Sequence, residues 1–247
     1  MASSNSVEAR ISAGVSVAAG QDPRHEVYVR VIRPVEADVL EARGVLAVVV
    51  ECRGAPGVGL AARLLVETVV RHFERGARNG EDWLVRALEA GCEAVRGAAG
   101  RLRFMRGVTV SGVALLLHQG VAHGAFIGST PLYLARGRTW YRLSGDEVTQ
   151  PLSRAMAVTW AQPLMIDATD RFLLCNRALS QAHRSSTEGG SPSGPAFRTT
   201  PPTHHPQLVC DALIAEARAI ERQAPLATAL LAVEENGTRS GHSPLAL

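Results

Sequence analysis

The run Gly44-Val-Leu-Ala-Val-Val-Val50, followed at once by Glu51-Cys-Arg-Gly-Ala-Pro-Gly-Val-Gly59, decides how the chain is read. A continuous apolar stretch rich in β-branched residues has no polar face, which predicts a strand buried on both sides. The glycines and proline that follow predict a tight turn. Past the turn, Leu64, Leu65, Val69 and Phe73 recur at helical spacing, so an amphipathic helix is expected over 60–75. Asn79-Gly80 interrupts the pattern. A second helix is expected over 81–98, with Trp83, Leu84, Ala87, Leu88 and Val95 on one face.

Working outward, strands are expected upstream at 12–18 and 27–35. Downstream, short strands at 108–118, 121–127, 132–135 and 139–143 are punctuated by Gln119-Gly120, Gly128-Ser-Thr-Pro131 and Arg136-Gly-Arg138, which reads as an antiparallel meander. A strand at 171–175, a short helix at 177–183, a long helix at 207–223 and a strand at 228–233 complete the pattern. The segment 184–206 is rich in Ser, Thr, Gly and Pro, too polar to pack, and is expected to be a disordered insert. The expected organisation is a flexible leader at 1–9, one domain over 10–235 and a flexible tail at 236–247.

The chain has 247 residues, 46% hydrophobic and 20% charged, enough apolar mass for a sizeable core. Its 26 cationic residues are all arginine. The absence of lysine excludes a Schiff-base lysine and a Walker-type phosphate loop. Cys52, Cys92, Cys175 and Cys210 form no CxxC pair and lie in apolar contexts, so they are read as buried thiols rather than zinc ligands. No basic-then-apolar signal opens the sequence and no apolar run is long enough to span a bilayer, so a cytoplasmic protein is expected, without membrane or nucleic-acid partners.

Five local stretches, in order and at consistent spacing, resemble the metal-dependent protein Ser/Thr phosphatases (PPM, type 2C) over about residues 10–235. Val48-Val-Val-Glu-Cys-Arg-Gly54 lies where that family has a strand followed by Asp-Gly-Met-Gly-Gly, and Gly59–Val70 follows like its first helix. Gly107-Val-Thr-Val-Ser-Gly-Val-Ala114 resembles its Gly-Thr/Ser-Thr strand. Phe126-Ile-Gly-Ser-Thr-Pro-Leu-Tyr-Leu134 resembles its Gly-Asp-Ser-Arg hairpin, and Asp170-Arg-Phe-Leu-Leu-Cys-Asn-Arg-Ala-Leu179 its Asp-x-hydrophobic-x-Cys/Ser-Asp-Gly-Leu. The resemblance implies an α+β fold, a four-layer α/β/β/α sandwich of two antiparallel sheets flanked by helices. It also implies a pair of divalent cations, Mg or Mn, that polarise phosphate and activate a bridging water.

The departures bear on function. The bridging aspartate position holds Glu51, and the glycine after it is Cys52. Ser129 replaces the aspartate of Gly-Asp-Ser-Arg. Arg177 replaces that of Ser-Asp-Gly-Leu, and Ala224-Pro225-Leu226 stands where an Asp-Asn pair is implied. The family's N-terminal Arg-x-x-Asn-Glu-Asp has no clear match, and its nearest polar counterpart is Gln21-Asp-Pro-Arg-His-Glu26. Hard cations need anionic oxygen, and a guanidinium in their place makes an attractive site repulsive. Glu51 is left either to hold one weak ion with Asp170 or Asp22, or to pair with Arg177 as a structural salt bridge. The salt bridge is the expectation.

Other groups read as structural. His204-His205 falls in the polar insert, His118 and His123 flank a turn without a carboxylate partner, and a triad of Ser129, His123 and Asp146 lacks a nucleophile elbow. Arg63, Arg71, Arg75 and Arg78 recur along the first long helix, as a solvated face or as a surface for an acidic partner. Ser185, Ser186, Thr187, Thr199 and Thr200 beside arginines are a candidate modified or docking segment.

Two functions compete. The first is a catalytically inactive pseudophosphatase needing no cofactor, acting as an interaction or regulatory module on a protein partner such as a phosphoprotein or kinase. The alternative is a Mg- or Mn-dependent phosphoprotein phosphatase with an eroded site using Glu51, Asp22, Asp146 and Asp170. A third expectation is an assembly subunit that keeps the fold for homo- or hetero-oligomer contacts. The acid count favours the first.

Overall fold

The structure is a computed structural model, and it describes residues 10–76, 82–137, 139–144, 158–185 and 205–234. The leader, the tail beyond 234 and most of the 184–206 insert lie outside the described residues, as do Arg78, Asp146 and His204.

Two five-stranded antiparallel sheets carry the fold. The first has the order β2-β3-β4-β5-β8, from β2 (His25–Ile32), β3 (Val45–Arg53), β4 (Thr109–His118), β5 (Val121–Ile127) and β8 (Val158–Met165). The second has the order β1-β10-β9-β6-β7, from β1 (Arg10–Ala18), β10 (Leu226–Glu234), β9 (Arg171–Cys175), β6 (Leu132–Arg136) and β7 (Thr139–Arg142). Helices α2 (Val58–Glu74) and α3 (Trp83–Arg101) cover the first sheet, and α4 (Arg177–Ser185) and α5 (Pro206–Ile220) cover the second. The result is the α/β/β/α sandwich expected from the sequence.

The two-residue period of strands sorts side chains into three cores. On β3, Leu46, Val48, Val50 and Cys52 pack under α2 and α3, whereas Val45, Ala47 and Val49 face the other sheet. On β9, Phe172 and Leu174 meet them from the opposite side, while Leu173 and Cys175 pack under α4 and α5. A strand buried on both faces has no room for a polar side chain until it ends. On β3 the alternation runs out at Glu51, which therefore points between the sheets at their edge.

Three elements differ from the sequence expectation. The meander is divided: β4 and β5 belong to one sheet, β6 and β7 to the other. Gly128-Ser-Thr-Pro131 is the crossover between sheets, with Gly128 at φ +66° and Pro131 lacking the N–H that would continue a ladder. A short helix, α1 (Ala37–Arg43), buries none of its side chains and so left no apolar period to detect. Strand β8 was also missed; it pairs with β5 through a register irregularity at Ala122/Gly124.

A close approach fixes α5 on the second sheet. A Cβ at Gly14 would lie 2.3 Å from the Pro206 carbonyl carbon, so only glycine lets the helix start rest on β1. There the Gln207 amide donates to Val15 O at 2.8 Å and accepts from Val15 N–H at 3.0 Å. His205, expected in a solvated loop, is the N-cap of this helix, its Nδ1 accepting from Gln207 N–H at 3.3 Å.

Candidate functional site

Strand ends from both sheets meet at one pole of the sandwich. The end of β3 brings Glu51, the start of β2 brings His25 and the start of β4 brings Ser111, which pairs with Glu51 in register. The β5–β6 crossover contributes Ser129 and Thr130, the β9–α4 junction Cys175 to Arg177, and the start of β10 Pro225 to Ala227. Of the sequence-selected positions, Arg177 meets Glu51 through its main chain and Pro225 meets Asn176, whereas the Cys52 side chain turns away under α2 and α3.

Their chemistry centres on one carboxylate. Glu51 is only 3% exposed. His25, paired with Arg53 across β2 and β3, brings its Nε2 within 2.6 Å of Glu51 Oε1. Arg53, two residues beyond Glu51 and hence on the same strand face, donates to the same oxygen from Nη2 at 2.5 Å and from Nε at 3.0 Å. Burial alone would raise the carboxyl pKa; the hydrogen bond from His25 and the charge and hydrogen bonds of Arg53 outweigh it and hold the group below the ordinary glutamate range. Glu51 is therefore ionised. An ionised carboxylate only accepts, so His25 Nε2 carries the proton, and its 3.1 Å approach to Arg53 Nε is a contact rather than a second hydrogen bond.

Arg177 takes a different part from the expected one. Its backbone N–H, at the first turn of α4, reaches Glu51 Oε2 at 3.4 Å, whereas the guanidinium that pairs with Glu51 is that of Arg53. The expected Glu51–Arg177 side-chain salt bridge is thus corrected: Arg177 enters through its main chain. Arg53 and His25 were missed, although the spacing of two along a strand gave the signal for Arg53.

Among the described residues, the other expected acids make their hydrogen bonds elsewhere. Asp22 lies on the turn before β2, where its carboxylate accepts from Arg24 N–H at 2.8 Å. Asp170 precedes β9, at the end of that strand away from Arg177; the strand between them spans roughly 16 Å at about 3.3 Å per residue. There it is fully buried and held by Arg136 at 2.9 and 2.7 Å and by Asp167 N–H at 2.9 Å, a structural clasp. Asp170 is therefore no partner for Glu51 in an ion site. Asp146 lies outside the described residues.

Neutral groups close the rest of the pole. Asn176 is fully buried, donating to Pro225 O at 2.8 Å and accepting from Ala227 N–H at 3.0 Å, so it ties β9 to β10 where the resemblance implies metal ligands. Burial pushes the Cys52 thiol far up and leaves it inert. Among the described residues, no three His, Cys, Asp or Glu side chains come together in a way that would hold a metal ion.

Solved structures place this architecture. The Mycobacterium tuberculosis serine/threonine phosphatase PstP/Ppp superposes with a TM-score of 0.68 at 14% identity, covering 91% of this chain and 99% of that one. This is the fold of the PPM phosphatases. PppA of Pseudomonas aeruginosa, described as a key regulatory component of T6SS, matches with a TM-score of 0.63 at 18% identity over 90% of this chain and 97% of its own. The PstP catalytic domain in complex with two manganese ions matches at 0.60 with 16% identity over 85% of this chain and 98% of that one. No family model matches the sequence, and no curated protein matches it significantly.

The residues at this pole do not fit a two-manganese site of the PPM kind. Among the described residues, a cation there would meet one carboxylate, Glu51, with Oε1 already shared by an imidazole N–H and a guanidinium. Like charges about 4 Å apart repel by roughly 4 kcal/mol at the effective dielectric of a partly buried site. Among the described residues, no helix is long and apolar enough to cross a membrane.

Proposed function

We propose that this chain is a non-catalytic protein of the PPM fold, a pseudophosphatase that works by binding a protein partner, a phosphoprotein or kinase being the class foreseen from the sequence. One observation carries the reading: the carboxylate at the bridging position, Glu51, is neutralised by the chain's own Arg53 and His25. The guanidinium occupies the electrostatic role that a divalent cation would take, so the fold is kept and the means of activating water is not. A cytoplasmic place of action agrees with four free cysteines, all buried.

The test is hydrolysis of p-nitrophenyl phosphate with Mn or Mg, with calorimetric titration of each ion into the protein. No turnover above buffer and no heat of binding are expected. Mn-dependent turnover that disappears in Glu51→Ala would overturn the reading in favour of a working phosphatase.

A further inference from the structure

Beside the pole, the segment Arg101-Leu-Arg-Phe-Met-Arg106 leaves α3 and enters β4 with an unusual surface. Arg101, Arg103 and Arg106 are exposed and make no ion pair among the described residues. Leu102 and Phe104 alternate with them and are 36% and 48% exposed; Leu60, in the first turn of α2, is 44% exposed. Four other arginines of the fold are spent internally: Arg136 on Asp170, Arg53 on Glu51, Arg71 on Glu67 O and Thr68 of its own helix, and Arg218 on the carbonyls of residues 221, 222 and 224.

The segment is also held rigidly. Met105 is fully buried as its anchor, and Gly57 N–H donates to Phe104 O at 3.0 Å. A Cβ on Gly57 would lie 2.6 Å from Met105 Cγ and 2.8 Å from Phe104 Cδ2, so the start of α2 and this segment are packed as one body. Backbone hydrogen bonds from Met105 to Leu102 O (3.0 Å) and from Arg106 to Arg103 O (3.2 Å) fix its turn. Basic residues at a helix C-terminus suit the helix dipole, which accounts for Arg101. That effect explains neither the arginines past the helix end nor the uncovered Leu102 and Phe104.

We propose that residues 101–106, with Leu60, form a docking surface for an acidic segment of a protein partner that carries an aromatic or aliphatic anchor between its carboxylates. Three unpaired guanidinium groups supply charge complementarity and steer encounter, and the apolar side chains between them supply the desolvated centre. The rigid backbone lowers the ordering cost of binding. Glu26, whose Cγ lies 3.9 Å from a Cβ built at Gly59, limits the surface on the β2 side and disfavours an acidic residue there. The proposal stands whether or not the pole is catalytic.

The test is fluorescence anisotropy with a fluorescein-labelled glutamate–tyrosine copolymer as probe, with polyglutamate and phosphatidylserine vesicles as competitors. Copolymer binding is expected to weaken with added salt and to fall roughly tenfold or more in Arg103→Glu/Arg106→Glu. Phe104→Ser and Leu102→Ser keep the charge and are expected to lower affinity as well, which decides the matter if the charge-reversed variant does not fold. Arg30→Glu/Arg33→Glu, equal in charge change and at the far end of β2, is expected to retain binding. Equal loss in that control, equal affinity for polyglutamate, indifference to the apolar variants, or capture by vesicles alone would each overturn the proposal.

Discussion

Glu51 and Arg53 stand two residues apart on β3, share one strand face, and close on each other with Nη2 2.5 Å from Oε1. Period-two geometry makes this contact available wherever an acid and an arginine alternate at the end of a strand. What distinguishes this pair is burial. Glu51 is almost wholly enclosed while the Arg53 side chain is 45% exposed, so the cation closes the pole from its solvent side.

Removing the cation leaves an ionised carboxylate buried with His25 as its remaining side-chain donor. Arg53→Met is therefore expected to destabilise the fold by about 3 kcal/mol, within the range for breaking a buried pair from one side. Removing both charges, in Glu51→Met/Arg53→Met, is expected to recover most of that loss, because no charge is then left without a partner. Urea unfolding of the wild type, both single variants and the double variant gives the coupling directly. A double variant as unstable as Arg53→Met would mean that the pair acts through packing alone.

Acid should release the same contact. The Glu51 pKa is lowered in the fold, so its stabilising contribution is complete above the ordinary glutamate value of 4.5 and is lost as pH falls from there through the folded pKa. His183 works in a separate window. Burial lowers its pKa from 6.5 against the opposing effects of its bond to Leu213 O and of Glu216, so its contribution is full above 6.5 and is lost as pH falls below that value. Unfolding free energies followed from pH 8 to pH 3 should fall in two stages. Glu51→Gln is expected to flatten the lower stage and His183→Gln the upper; a profile unchanged in both would contradict the assignment.

Most elements of the sandwich were legible because their signals are local, while its two-sheet layering came with the family resemblance. The β3 run, the helical periods of α2 and α3, and the glycine-rich breaks all follow from backbone preference and burial, and each stood in the sequence at its own position. The division of the meander was not legible, since Gly128-Ser-Thr-Pro131 has turn chemistry whether its strands pair with each other or part to different sheets. At the pole, Glu51 came with the resemblance, as the residue at the implied bridging-aspartate position. His25 was not, because it reaches Glu51 only through β2–β3 pairing, a contact between residues 26 positions apart. The type and place of Arg177 suit a counter-ion, yet a helix start offers its N–H more readily than its side chain. Asp170 and Glu51 belong to opposite ends of their sheets, a separation set by strand direction, which composition does not carry.

Gly14 gives a test of the packing that the sequence hid. A methyl group there would fall within 2.5 Å of three main-chain atoms of Pro206 and Gln207, which cannot move aside as a flexible side chain can. Gly14→Ala is expected to lift α5 from β1, break the paired Gln207–Val15 hydrogen bonds and cost about 3 kcal/mol or more in thermal or urea unfolding. Gln207→Ala removes the hydrogen bonds and leaves the close approach intact, so a smaller loss of about 1 to 2 kcal/mol is expected. A loss for Gln207→Ala equal to that of Gly14→Ala would assign the whole effect to the amide.

Metal affinity gives the last prediction, because the misfit at the pole has separable causes. Ser129 and Arg177 stand at implied aspartate positions, and Arg53 holds Glu51, the one carboxylate at such a position among the described residues. Ser129→Asp alone adds an acid to a pole whose guanidinium stays in place, and the new carboxylate is expected to pair with a cation of the chain rather than to hold Mn. Arg53→Met alone frees Glu51 but supplies no second acid. The triple variant Arg53→Met/Ser129→Asp/Arg177→Asp removes two positive charges and adds two negative ones at the implied ligand positions, a sufficient change of sign for a divalent ion to be attracted. Calorimetry with Mn is expected to show binding in the triple variant and none in either single one, with the bound ion raising the thermal midpoint of the triple variant alone. Binding of equal strength in the unaltered chain would show that Arg53 yields Glu51 to a metal, and the internal ion pair would then not be what sets this pole apart.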